Sequence, residues 1–153
     1  MAKVRLIKLG TMCTESASKL SGAPTHFNIN GSGHMNYLFQ PKRLNPETHL
    51  PVNRIRLDES RLQGITKENY VEMELPTEMI GKEVEDRISG YKGTVVSLTV
   101  HLNGCVHYVV QSAGTTKDGS PIDSIEIDPR SCVDQQSTSV KQPVSPGDPF
   151  PQG

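Results

Sequence analysis

VEDRISGYKGTVVSLTVHLNGCVHYVVQ, Val84 to Gln111, reads as a turn, a strand, a second turn and a second strand. Ser89-Gly90-Tyr91-Lys92-Gly93 forms the first turn. The stretch that follows alternates, with Val96, Leu98 and Val100 on one face and Val95, Ser97 and Thr99 on the other, the period of a strand. Asn103-Gly104 is a strong hairpin signal, because a two-residue turn of this kind asks for positive φ at both positions. Cys105 to Gln111 is the returning strand. Beyond it, Asp118-Gly119 is another turn, and Ser124 to Asp128 alternates again as a closing strand. Upstream, Val84 and Ile88 are expected to point inward between charged neighbours.

The same pattern occurs earlier in the chain. Gly10, Gly22 and Gly33 fall on Gly81, Gly93 and Gly104, all at an offset of 71. At that offset Tyr37-Leu38-Phe39-Gln40 falls on Tyr108-Val109-Val110-Gln111, and Phe27 and Ile29 fall on Leu98 and Val100. With the offset shortened to 70, Ile55, Leu57 and Asp58 fall on Ile125, Ile127 and Asp128. A repeated unit of short strands predicts an all-β chain. The expected architecture is two tandem small β-barrels of SH3 or KOW type with an extended proline-rich C-terminal tail. Residues 1–63 form the first barrel, 64–76 a connector, 77–133 the second barrel and 134–153 the tail. The connector holds one candidate strand, Tyr70 to Leu75. The tail has four prolines and no alternation, so it is ordered only against a partner.

Composition sets outer limits. The 153 residues suit one ordinary domain or two very small ones. Eleven prolines and 13 glycines favour turns and short strands, and the absence of tryptophan argues against one large core. No apolar run has the length of a membrane span, and the basic start is too interrupted for a signal peptide. Three cysteines without a Cys-x-x-Cys pair read as reduced thiols. The net charge of −1 hides a dipole. Residues 1–62 carry nine Lys/Arg against four Asp/Glu, whereas residues 76–132 carry five against eight.

Candidate chemistry is sparse. His101, Cys105 and His107 approach one another across the Asn103-Gly104 turn, but zinc takes four ligands or three plus water, and no fourth is visible. A metal there would favour an enzyme. Cys105 and Cys132 lack the base and orienting group that a thiol nucleophile needs. Glu83, Glu85, Asp86 and Asp123 read as a solvated acidic edge. No catalytic residue, metal ligand or cofactor is assigned, and the expectation is a protein that is not an enzyme. The better lead is basic. Lys42, Arg43, Arg54, Arg56 and Arg61 gather late in the first unit, with Arg54 and Arg56 projecting from one strand face. With Pro143, Pro146 and Phe150 of the tail, they are the candidate partner-binding residues. An acidic protein face, including that of another copy, is the favoured partner. Nucleic acid is the alternative, since few aromatic rings lie nearby for base stacking.

Asp86-Arg87-Ile88-Ser89-Gly90-Tyr91-x-Gly93, followed by Leu102-x-Gly104-Cys105 and Gln111, resembles a recurrent small β-domain of tailed bacteriophages. The likeness covers residues 80–132. The first unit keeps the glycines but has Thr14-Glu15-Ser16-Ala17-Ser18-Lys19-Leu20-Ser21-Gly22 in place of the signature. The resemblance implies a virion protein and no catalytic residues. The expected function is a non-enzymatic structural adaptor of a phage particle, in the tail, baseplate or capsid decoration, assembled in the host cytoplasm. Its partners would be other virion proteins in a homo-oligomeric or symmetric assembly, with no membrane contact. The tail and residues 1–9 would reach onto neighbours. The alternative is a KOW-like nucleic-acid-binding or regulatory module.

Overall fold

Residues 1–134 are described by the computed structural model; Pro143, Pro146 and Phe150 lie outside the described residues. The chain is all-β. Its strands are β1 (Ala2–Ile7), β2 (Cys13–Glu15), β3 (Ser21–Asn30), β4 (Met35–Pro41), β5 (Ile55–Leu57) and β6 (Leu62–Gln63), then β7 (Tyr70–Leu75), β8 (Glu83–Asp86), β9 (Lys92–His101), β10 (Val106–Gln111), β11 (Ile125–Ile127) and β12 (Cys132–Asp134). Both long strands, β3 and β9, run ten residues at an offset of 71. In each half the strands pair in the same order, β6-β2-β3-β4-β5 and β12-β8-β9-β10-β11.

Local chemistry explains why the halves share a backbone. Gly22 and Gly93 sit where a long strand bends against its partner. A Cβ at Gly22 would fall on the Gln40 carbonyl, and one at Gly93 on the Gln111 carbonyl. Only glycine permits that approach. Gln40 and Gln111 then turn their side-chain amides to equivalent targets, the carbonyls of Val52 and Ile122. These bonds pin the two long loops, each of which is also closed by an isolated bridge, Leu44 to Pro51 and Thr115 to Pro121. The pairing of β3 with β4 skips Thr25, and that of β9 with β10 skips Val96. These two bulges are equivalent positions, and a bulge increases strand bend.

The Val96 bulge corrects the expected face assignment. It moves Val95 into the core and turns Val96 outward, while Leu98 and Val100 stay inside. Ile88 is also corrected, because it lies in the turn after β8 and is 82% exposed. The hairpin at Asn103-Gly104 differs from the expected two-residue turn. Gly104 alone has positive φ there, and the loop is closed by the His101 N–H donating to the Cys105 carbonyl at 2.8 Å. Gly33 and Asn30 do the same in the first half, where the Asn30 N–H donates to His34.

The expected pair of closed barrels is replaced by open sheets. The edge of β3 at residues 26–30, which would have to close the first barrel, is taken by β9. His26 faces His101, Phe27 faces Val100, Asn28 faces Thr99, Ile29 faces Leu98 and Asn30 faces Ser97. Asn28 and Thr99 are themselves equivalent at the offset of 71, so this register has local two-fold symmetry. The result is a continuous antiparallel sheet, β5-β4-β3-β9-β10-β11, with β5 and β11 at its two edges.

Its inner face carries Phe27, Ile29, Tyr37, Phe39, Leu57, Leu98, Val100, Tyr108, Val110 and Ile127, all buried in one core. The antiparallel pair β1–β7 contributes Val4, Leu6, Ile7 and Leu75 to that core. The backbone N–H of Ile7 donates to the buried Tyr37 hydroxyl at 2.9 Å. Residues 1–9, expected to reach onto neighbours, are therefore committed to the chain's own core through β1. Strand β7 lies within the span read as a connector and stands to the second half as β1 stands to the first.

Candidate functional site: a polar groove on the two-fold seam

Alternation on β3, β4, β9 and β10 that buries one face must present the other. The outer face is polar. At its centre the Asn28 side-chain amide donates to Ser97 Oγ at 3.1 Å and to Thr99 Oγ1 at 3.0 Å, tying the two halves across the seam. Ser97 and Thr99 are buried despite facing outward. A groove of about 440 Å³ lies over them, with Asn36 and Arg56 on one wall and Val109, Ser124, Ile125 and Glu126 on the other.

The walls are equivalent in backbone and opposite in charge. Arg56 on β5 corresponds to Glu126 on β11, and Asn36 on β4 corresponds to His107 on β10. Arg56 Nη1 donates to Asn36 Oδ1 at 2.7 Å. Opposite, Glu126 Oε1 lies 2.7 Å from His101 Nε2 and 3.1 Å from His107 Nδ1, and the two ring nitrogens are 3.0 Å apart. The His26 ring packs edge-on against His101, with centroids 4.6 Å apart. Burial is the largest single influence on Glu126 and raises its pKa. The hydrogen bonds and charge of His107 and His101 together outweigh it and hold the carboxyl below its usual range. His26 is pushed down by burial first and by neighbouring His101 next.

Other sequence candidates separate. Lys42 and Arg43 are exposed on the loop after β4. Arg54 is exposed beside the groove, its Nε donating to Gln40 Oε1 at 3.3 Å. Arg61 turns away from Arg54 and Arg56 to a structural ion pair. Its guanidinium meets Glu15 at 2.8 Å, and that carboxylate is only 1% exposed. Glu15 also accepts from the backbone N–H groups of Ala17 and Ser18, which with Arg61 hold it far below the usual carboxylate range. Asp86, at the equivalent place, accepts from Ile88, from Ser89 N–H and from the Ser89 hydroxyl, so its role is to shape a turn.

Cys13 is buried, and Cys132 is pushed up to about 11 by burial and then by Asp86 and Asp128, which keeps it a neutral thiol. Cys105 is exposed at the hairpin and stands outside the histidine cluster. Glu126 takes the place that the sequence reading gave to Cys105. The available signal was the alternation of Ser124 to Asp128, which sets Glu126 outward on the strand that pairs beside His107. No family model matches this chain, and no curated protein or solved structure does so.

Proposed function

We propose that the chain is a non-enzymatic structural adaptor of a tailed-phage particle that assembles through the unlike ends of its symmetric sheet. The phage assignment is supported by the resemblance of residues 80–132 to the small phage β-domain. The assembly mode is supported by one observation above the rest. A backbone that repeats across a local two-fold carries Arg54 and Arg56 beside one edge, and Ser124 and Glu126 at the equivalent places beside the other. Opposite patches at opposite ends of one chain make head-to-tail contacts, and such contacts generate rings when the rotation closes. Charge of this kind sets register and partner choice more than raw affinity.

The test is light scattering after gel filtration in chelator-containing buffer, at low and high salt. Copies should associate at low salt and dissociate as salt screens the contact. Arg54→Glu with Arg56→Glu should leave a folded monomer. A wild-type chain that is monomeric throughout, yet binds DNA or RNA in a salt-sensitive way through Arg54 and Arg56, would replace this reading with the nucleic-acid module.

A further inference from the structure

The geometry points to a divalent transition-metal site formed by His101 on β9, His107 on β10 and Glu126 on β11. Three donor atoms, His101 Nε2, His107 Nδ1 and Glu126 Oε1, converge from three adjacent strands into a triangle with sides of 2.7, 3.0 and 3.1 Å. Protons alone serve that triangle badly. If both ring nitrogens carry hydrogen and donate to Glu126, the two N–H groups oppose each other across 3.0 Å. If only His101 Nε2 carries it, the His107 lone pair faces the carboxylate oxygen at 3.1 Å. With the carboxylate ionised, every assignment of hydrogen leaves one repulsive side, and a cation at the centre satisfies all three.

The dimensions suit the exchange. Donors about 2.0–2.1 Å from a tetrahedral zinc ion sit about 3.3 Å apart, so the sides of the triangle open by about 0.2 to 0.6 Å. Two imidazoles and one carboxylate select zinc, nickel, cobalt or copper over magnesium and calcium, which take oxygen donors. The ring of His26 against His101 limits its rotation and helps fix the donor direction. Of the three donors, Glu126 also lines the groove.

The other half supplies an internal comparison. The positions equivalent to His101, His107 and Glu126 hold Asn30, Asn36 and Arg56, where an ordinary amide–guanidinium hydrogen bond of 2.7 Å fills the place. One symmetric backbone therefore carries the site on one side only. A bound ion cross-links β9, β10 and the edge strand β11.

The experiment is titration of the chelator-stripped full chain with Zn²⁺ by calorimetry, and with Co²⁺ by visible absorption. One equivalent per chain should bind, and the cobalt form should show the intense visible bands of a four-coordinate site. Glu126→Gln and His107→Ala should each weaken binding at least tenfold, since even outer partners of metal ligands cost 10–100-fold. Circular dichroism checks that the variants fold. Cys105→Ser and Asn36→Ala should leave binding unchanged. Absence of binding, or binding that survives His107→Ala, or loss in Cys105→Ser, overturns the assignment.

Discussion

The two halves of this chain share a scaffold and differ in what stands on it. The bend glycines, the glutamines behind them, the bulges at Thr25 and Val96 and the loop bridges all recur at equivalent places. The side chains that face the groove do not. Arg56 is equivalent to Glu126, Asn36 to His107 and Asn30 to His101. The buried turn acid is Glu15 with Arg61 in one half and a more exposed Asp86 with Ser89 in the other. Positions that recur are those where the backbone leaves one solution. Positions that differ are those where the scaffold tolerates any polar group, and these are free to carry function.

The strongest way to break the comparison is to empty the shared core from either side. Phe27→Ala should cost roughly 3–5 kcal/mol and the equivalent Leu98→Ala roughly 2–5 kcal/mol. Because both lie in one core, each should shift a single denaturant transition of the whole chain. Two separate transitions would mean that the halves fold independently. Next in size, Gly22→Ala and Gly93→Ala should each cost about 1–3 kcal/mol, by similar amounts, since both added Cβ atoms meet a backbone carbonyl that cannot yield freely. A large effect at only one of them would show that the equivalence is not energetic.

Acid sharpens the contrast between the turn acids. The folded pKa of Glu15 is depressed, first by the Ala17 N–H and then by Arg61. Its contribution is therefore present above the ordinary value of 4.5 and is lost as pH falls towards the folded pKa. Chemical denaturation across that acid range should show falling stability, and Glu15→Gln should flatten the fall more than Asp86→Asn. An unchanged slope in Glu15→Gln would contradict the assignment. The smallest effect lies in the turn after β2. Lys19 has φ 62 where Gly90 has φ 82 in the second half. Lys19→Gly relieves a left-handed residue but loosens the unfolded chain, so its effect should stay within about 0.5 kcal/mol, whereas Gly90→Ala should cost about 1 kcal/mol.

Much of the scaffold was legible because it is written in glycine and alternation. Gly22, Gly93 and the Tyr37 and Tyr108 blocks fixed the offset, and the short strands followed. The open sheet was not legible. Whether the edge of β3 closes on its own half or takes β9 depends on a pairing between residues far apart in the chain, from Asn30 with Ser97 to His26 with His101, and alternation is the same in both cases. Strand β7 was only half visible, since Glu72 and Glu74 face out and Met73 is only partly buried. The groove was legible in parts. Arg54, Arg56, His101 and His107 were each singled out, but not that Arg56 and Glu126 form opposing walls. That arrangement follows from the two-fold seam, and the seam has no local signature.

The central claim is that unlike ends of a symmetric sheet meet between copies. The most direct measurement mixes two variants in chelator-containing buffer at low salt and follows their mass by light scattering. Arg54→Gln/Arg56→Gln keeps only the acidic end, and Glu126→Gln keeps only the basic end. Each alone should be monomeric, and the mixture should form one-to-one dimers that grow no further, while wild type forms larger assemblies. A mixture that stays monomeric, or either variant alone assembling like wild type, would contradict the account.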